Sequence, residues 1–586
     1  MDQFSEAILA VLTEAVRSAV GENGEVPPLT AGMIERPPNP EMGDYAFPCF
    51  VLAKALRKGP PVIAQELAAG LVDAVAANPL LTEVAPVGPY VNFRVNPAVM
   101  VQQVIQGAMD GSYFAQAKAE RPRKVMVEYS QPNTHKAFHV GHMRNVALGD
   151  ALVRIMEYNG HEVVAVNYIG DSGAHIAKCL WYYTNHRPAD SQPPEENRGE
   201  WLGEMYTAAT LMIANAAPEE RKQYETEISD VLRRLEGRDQ ELGPLWDETK
   251  QWSLDSFQEI YNWLGARFDH VFTESEMEAP GKAIVDQGLD QGVFIHSQGA
   301  VGADLDAHKL PFFLVLKGDG NTLYSTKDLA LAQIKFREYG IEESIYVVGA
   351  EQTLHFRQVF KTLELLGYEQ AKDCHHLAYG LVVLPDGKMS SRAGNVILFS
   401  SLRESLNDYI ETNYLHAHRG EWPDAEIDEA GRRIAVAAIR YGMIKQDPTK
   451  QIVFNLEDWL VSEGDTGTYL CYAYSRAMSV LRKAEQAPDA NVDFSLLTHE
   501  AELKLVRELY DFNAVAHQAA EKLLPNLVAN ALFQIAKEFS RTYRVCPVLK
   551  AETPELAQAR LALFTATGLV LKTGLGLLGI TPPERM

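Results

Sequence analysis

Two short stretches of this 586-residue chain carry residue types that could do chemistry on a nucleotide. The first is VEYSQPNTHKAFHVGHMRN, residues 127–145. His139 and His142 stand three residues apart, at or just before the first turn of a predicted helix, so their rings can point to one side. Free backbone N–H groups and the positive end of the helix dipole lie beside them. Gly141 removes a side chain between them, which lets a flat base approach the backbone. Such a site suits a nucleotide with phosphates, and histidine donors there would stabilise charge growing on a phosphate. Taken alone, the pair also reads as a metal couple or an ordinary polar helix start, although the HExxH pattern of metalloproteases is absent. The second stretch is LPDGKMSSRAGNVI, residues 384–397. An apolar strand ends at Leu384 and PDG makes a tight turn. Lys388, Ser390, Ser391 and Arg392 then form a small cationic loop. It could close over a polyphosphate and neutralise charge as a leaving group departs. A solvated basic turn is its bland alternative.

Short apolar strands alternating with helices must position both stretches. KVMVEYS leads into the first, and EVVAVNYIGD follows after a helix ending near Gly160. PFFLVL, SIYVVGA and LAYGLVVL come later, separated by the helices KDLALAQIKFREYG and LHFRQVFKTLELLGY. This order predicts a Rossmann-like, doubly wound parallel sheet, whose ligands bind at the carboxyl edge of the strands. Residues 187–300 are polar, Trp-containing and mostly helical, and read as a helical insertion. Residues 1–115 read as an N-terminal α+β domain: Phe4, Ile8, Val11, Leu12 and Val16 have helical spacing, and GPYVNFRV reads as a strand. Beyond residue 460 the pattern is almost only helical. The expected organisation is therefore a multidomain α/β chain: 1–115, a sheet domain at 116–460, and a C-terminal all-α bundle at 461–586.

Composition narrows the class. Hydrophobic residues make up 46% and charged residues 23%, which excludes global disorder. The net charge of −24 argues against wholesale coating of DNA, but not against a local nucleic-acid site. Residues 461–586 hold 14 acids against 13 bases, so nearly all the acidity lies upstream. The five cysteines form no CxxC pair, which disfavours a disulfide framework and structural zinc. The first residues lack a basic secretory n-region. The apolar run Leu561 to Ile580 contains Lys572 and several glycines, and reads as a buried helix rather than a membrane span. A cytoplasmic protein with no membrane partner is expected.

HxGH after the first strand and KMS after the last, about 250 residues apart, resemble the two signature motifs of class I aminoacyl-tRNA synthetases. The lead-in EYSQPNTHKAFHVGHMRN is similar to the arginyl-tRNA synthetase form of the first motif. NYIGDSGAHIAK, LYSTKDLALA, YVVGAEQTLHFRQVF and KMSSRAGNVI resemble further segments of that family. GDTGTYLCYAYSRAMSVLRKA resembles the start of its helical anticodon-binding domain, and NPEMGDYAFPCFVLAKAL its extra N-terminal domain. Two departures stand out. Ser391 occupies the position where the general second motif has lysine, leaving Arg392 or Lys136 to supply the charge. Gln131 stands where the family often has a small hydroxyl residue.

The resemblance implies a two-step reaction, in which arginine is activated by ATP and then passed to tRNA. It places ATP, with Mg²⁺, against His139, Gly141, His142, Lys388 and Ser390; His139, His142 and Lys388 would carry the transition state, with no zinc and no protein metal ligand. For arginine the candidates are Glu128, Gln131, Asn133, His142, Tyr324, Asp328 and Gln352. A planar cation with five donors calls for carboxylates, which makes Asp328 the first candidate and Glu128 the second. For tRNA, which the resemblance brings to the protein through its anticodon loop, D-arm and acceptor end, Tyr469, Tyr472 and Arg476 are candidates, since aromatic rings beside arginine suit unstacked bases. Tyr474 belongs to the same aromatic stripe, part of which would be core. Arg432, Arg433, Arg440, Lys445 and Lys450 would form a backbone-contacting patch. A monomer is expected. Another class I synthetase or adenylate-forming nucleotidyltransferase, and a non-enzymatic RNA-binding descendant, are the competing readings.

Overall fold

A computed structural model describes residues 3–21, 27–37, 39–116, 118–318, 320–385, 387–388, 396–484, 486–489 and 492–586. The chain divides into two compact units. One comprises residues 1–113 with 488–510 and 546–566. Its first helix, Gln3–Val20, buries Phe4, Ile8, Leu12 and Val16, four residues apart, so a single stripe faces the core. A three-stranded antiparallel sheet runs in the order Tyr45–Pro48, Tyr90–Val95, Leu81–Val87. The helix Pro97–Asp110 opens on an Asn96 cap, whose side chain accepts the Ala98 N–H, and has Pro97 in its first turn. The C-terminal segments join this unit through the Tyr113 hydroxyl, which donates to the Leu509 carbonyl, and through the Arg507–Asp44 ion pair.

The second unit comprises residues 114–487, 511–545 and 567–586. Its centre is a five-stranded sheet, ordered Cys374–Tyr379, Glu343–Gly349, Lys124–Glu128, Glu162–Ile169, His270–Thr273. Every neighbouring pair is parallel. All seven residues of Glu343–Gly349 are buried, as expected of a strand covered on both faces. The sheet differs from the sequence expectation at three places. Phe313–Leu316 lies outside it, in an antiparallel sheet with Ile295–Ser297 and Ala300–Ala303. LAYGLVVL is two strands, because Val382–Leu384 pairs with Gly387–Lys388 and Ile452–Val453 instead. The fifth strand, His270–Thr273, falls within the stretch read as helical; at four residues it is too short to set a period. The helices Arg198–Asn215, Pro218–Glu236 and Leu242–Leu264 fill the connection before it.

Downstream, Asp424–Ile444, Gly467–Lys483 and Asn526–Val545 are long helices. Pro554–Leu577 is apolar and long enough to cross a membrane, but 67% of its most apolar stretch is buried inside the protein, so it is a core helix. All five cysteines are buried and unpaired.

Candidate active site

The central strand Lys124–Glu128 is the first of the sheet in chain order. The chain adds strands on one side of it, then returns to add Glu343–Gly349 on the other. This reversal is the topological switch point, where adjacent loops part and leave a crevice at the carboxyl edge. Glu128 and Gly349 end the two strands that flank it.

The loop leaving Glu128 feeds the helix Val140–Tyr158, with His139 at its N-cap. His139 Nδ1 accepts the Gly141 N–H at 3.1 Å, and His142 Nδ1 accepts the His139 N–H at 3.2 Å. The rings lie 3.9 Å apart, inclined by 33°. Because each Nδ1 is an acceptor, each neutral ring carries its proton on Nε2. Burial pushes the His139 imidazole down to about 4, and His142 well below its ordinary value, with His139 and Lys136 adding to the effect. The pair is therefore neutral at pH 7, offering two N–H donors beside the helix N-terminus. The second motif is brought here across some 250 residues: the Val140 N–H donates to the Ile397 carbonyl at 3.1 Å, and His139 bridges Leu398. Arg144, fully buried, donates to the Gly380 carbonyl at 2.5 Å and to the Pro448 carbonyl at 3.0 Å, fixing the base of the Val382–Leu384 hairpin on the same helix. Lys388 pairs with Val383 through its backbone. Its side chain, Ser390, Ser391 and Arg392 lie outside the described residues.

The residues assigned to arginine differ in exposure and in the partners they already hold. Asp328, half-buried in the first turns of Tyr324–Tyr339, meets His355 Nε2 with Oδ2 at 2.5 Å. Tyr324, one turn before it, is 69% exposed, and Gln352 is exposed after Gly349. Asn133 bridges Gly170, where a Cβ would run into its side-chain oxygen. Glu128 is 3% exposed and already holds partners on both oxygens: Gln131 Nε2 at 2.8 Å and the buried Lys335 ammonium. Its carboxylate thus fixes Gln131 and Lys335 at the strand end.

Glu274, absent from the sequence reading, enters this region from the end of His270–Thr273. Its carboxylate faces Lys327 at 3.5 Å and Ser172 Oγ at 3.4 Å, and burial pushes it up to about 7. The buried Tyr168 hydroxyl has no hydrogen-bond partner among the described residues and sits in the field of Asp328, Glu274, Glu128 and Asp171. An orphaned hydroxyl amid carboxylates is the environment a guanidinium would complete. The signal for Glu274 was an acid at the end of a strand, hidden because that strand was not recognised.

In the helical region the Arg476 guanidinium lies 4.9 Å over Tyr472 and 4.4 Å over Tyr543. The Tyr469 hydroxyl bonds Ser540 Oγ at 3.0 Å. Tyr474 is core, bonded to Glu584 at 2.9 Å. The expected basic patch at 432–450 loses Arg440 to the core. Arg440 is fully buried, pairs with Asp150 and donates to the Leu578 and Leu264 carbonyls, while Arg432 and Arg433 share Glu429. Arg440 therefore serves the fold rather than a surface.

The neutral histidines predict acid lability. Burial lowers His135 to about 3 and His175 well below its ordinary value, alongside His139 and His142. Each takes up a proton on unfolding below pH 6.5, so its contribution is complete above that pH and lost as pH falls toward the folded value. The slope is about 1.4 kcal/mol per pH unit for each histidine. Glu274 has the opposite sign between about 7 and its unfolded value near 4.5, and cancels one of the four. The urea midpoint should therefore fall steadily from pH 6.5 to 4.5. A flat profile there would mean that these rings titrate normally in the folded chain.

These features define a class I synthetase catalytic domain, and comparison with known proteins agrees: the profile of class I (R) tRNA synthetase catalytic domains matches residues 102–456. The arginyl-tRNA synthetase N-terminal domain matches residues 3–95, and the DALR anticodon-binding domain residues 470–586. The arginine–tRNA ligase of Bdellovibrio bacteriovorus is 43% identical over 94% of this chain and 93% of its own length. That of Clostridium beijerinckii is 35% identical over 94% and 96%. The Thermus thermophilus arginyl-tRNA synthetase structure superposes with a TM-score of 0.79 at 29% identity, covering 99% of this chain and all of its own. The Plasmodium falciparum arginyl-tRNA synthetase shares the fold, with a TM-score of 0.77 at 19% identity over the full length of both chains. The chain belongs to the arginyl-tRNA synthetase family.

Proposed function

We infer that the protein ligates L-arginine to tRNA at the expense of ATP, through an arginyl-adenylate. The observation that carries this reading is the meeting of both signature segments, at Val140–Ile397 and His139–Leu398, on the switch point of the sheet. In the first step the arginine carboxylate attacks the α-phosphorus and pyrophosphate leaves. In the second, a terminal ribose hydroxyl of tRNA attacks the activated carbonyl and AMP leaves. Neither step needs a protein nucleophile, so positioning and charge stabilisation carry the rate. His139 and His142 would supply neutral Nε2–H donors to the phosphates, with Gly141 leaving room for the nucleotide and Lys388 and Ser390 closing over the leaving group. Asp328 and Glu274 would face the guanidinium, while Gln131, Asn133 and Gln352 hold the amino-acid end. Such a pocket rejects lysine, whose single ammonium leaves acceptors unpaired.

Among the described residues no group of three or more His, Cys, Asp or Glu side chains could hold a metal. We assign Mg²⁺ to the ATP phosphates. The Tyr472–Arg476–Tyr543 cluster, with Tyr469, is the proposed anticodon-loop surface; the N-terminal unit is assigned to the D-arm, and the crevice to the acceptor end. We place the enzyme, as a monomer, in the cytoplasm, where charged tRNA is consumed.

The resemblance to arginyl-tRNA synthetases implies that activation depends on tRNA, which we propose orders the crevice when it binds. ATP–pyrophosphate exchange should be near background with arginine alone and rise when tRNA is added. Full exchange without RNA would favour a different class I activity.

A further inference from the structure

The helices between the second and third sheet strands take no part in the chemistry above, yet their hydrogen bonds reach the loop that carries it. Between Glu128 and Val140, three residues with a Cβ adopt left-handed backbone: Ser130 (φ 77°), Gln131 (φ 49°) and His135 (φ 61°). Such conformations persist only where the surroundings over-determine them. One helix, Leu242–Leu264, restrains the loop at both ends. At the near end the Tyr261 hydroxyl shares a 2.7 Å hydrogen bond with Ser130 Oγ and accepts from Asn167 Nδ2 at 3.0 Å. Asn167 Oδ1 in turn accepts the Gln131 N–H at 3.0 Å. At the far end Ser253 Oγ accepts the His135 N–H at 3.0 Å, and Thr249 Oγ1 bonds His135 Nε2 at 2.8 Å. Thr249, Ser253 and Tyr261 fall four and eight residues apart, on one face of the helix, and all are buried. Packing alone asks for apolar side chains there; three buried hydroxyls answer polar groups of the loop. A neighbouring helix, Arg198–Asn215, adds its own contact. Its Gly203 lies so close to Ala137 that a Cβ would strike the loop backbone, and its Tyr206 ring lies 5.5 Å beneath the Lys136 ammonium.

We propose that Tyr261 and Ser253 are positioning residues for adenylate formation, acting on the two ends of the signature loop separately. Tyr261 holds the Ser130–Gln131–Asn133 end, where arginine is read. Ser253, with Thr249, holds the His135–Lys136–His139 end, where the ATP phosphates are read. Neither touches a substrate. The proposal rests on the arginylation reading above.

The test compares the full-length wild type with Tyr261→Phe, Ser253→Ala and Ser253→Thr. Exchange is measured in the presence of tRNA, and competent sites are counted by the adenylate burst. Tyr261→Phe should raise KM for arginine roughly tenfold while leaving KM for ATP within about twofold. Ser253→Ala should slow adenylate formation roughly tenfold with KM for arginine within about twofold, and Ser253→Thr, which keeps the hydroxyl, should restore the rate. Variants that match the wild type per competent site, whatever their melting temperatures, would show that the helix only packs. Variants that change every parameter alike would remove the division into two ends. Either result overturns the proposal. A wild type that fails to activate arginine would instead overturn the functional reading.

Discussion

Replacing Asp328 with asparagine is expected to lower kcat/KM for arginine while leaving the fold and ATP binding intact. The carboxylate sits in the first turns of its helix at the switch-point crevice, and Oδ2 is held by His355. An asparagine oxygen can keep that contact, so the side chain stays in place and only the charge is lost. Removing a charge-assisted bond to a buried cation costs about 2–4 kcal/mol, which is roughly 30- to 1000-fold in kcat/KM. Glu274 would remain, so the pocket keeps part of its anionic character. Steady-state kinetics with arginine as the varied substrate decide the matter. An unchanged KM and kcat for arginine would remove Asp328 from the pocket.

Lys388→Ala is expected to slow adenylate formation by about 100-fold or more, by comparison with losing one preorganised donor to a developing charge. The lysine follows the sequence Pro-Asp-Gly, and small residues come after it, a composition suited to a loop that closes on a phosphate. Charge neutralisation confined to the transition state lowers kcat and leaves KM for ATP little changed. Transfer of a preformed arginyl group to tRNA should suffer less, because pyrophosphate has already gone. Arg392→Ala should have a smaller effect if that guanidinium only partly replaces the lysine absent at Ser391. Single-turnover rates for the two steps separate these effects. Equal slowing of both steps, or weakened ATP binding alone, would make the loop a ground-state clamp.

Much of the catalytic framework was legible because its signals are local. HVGH follows an apolar strand, and His139 caps the helix that the pattern predicts. SIYVVG reads as a buried strand and is one, adjacent to the first. What escaped depends on partners far apart in sequence. Glu274 was missed because its four-residue strand carries too little period to separate from flanking helices. Arg440 looked like part of a surface patch because a run of cations carries no sign of burial; its partner Asp150 lies 290 residues upstream. The restraint of His135 by Ser253 spans 118 residues, and from sequence that serine is an unremarkable polar position on an amphipathic helix. Glu128 shows the same limit in reverse. Its position at a strand end makes it a guanidinium candidate, while its bond to Lys335, on a helix far downstream, leaves no local mark in the sequence.

We propose that this crevice activates arginine and passes it to tRNA. The direct measurement is aminoacylation of total tRNA by the purified full-length chain with ATP, supplying each amino acid in turn as the labelled substrate. Acid-stable label should accumulate on tRNA with arginine, and remain at least a hundredfold lower with lysine, whose ammonium cannot satisfy the pocket's acceptors, an estimate from the loss of several buried hydrogen bonds. Label that accumulates with a different amino acid, or with none while tRNA still binds, would show that the crevice does not arginylate tRNA.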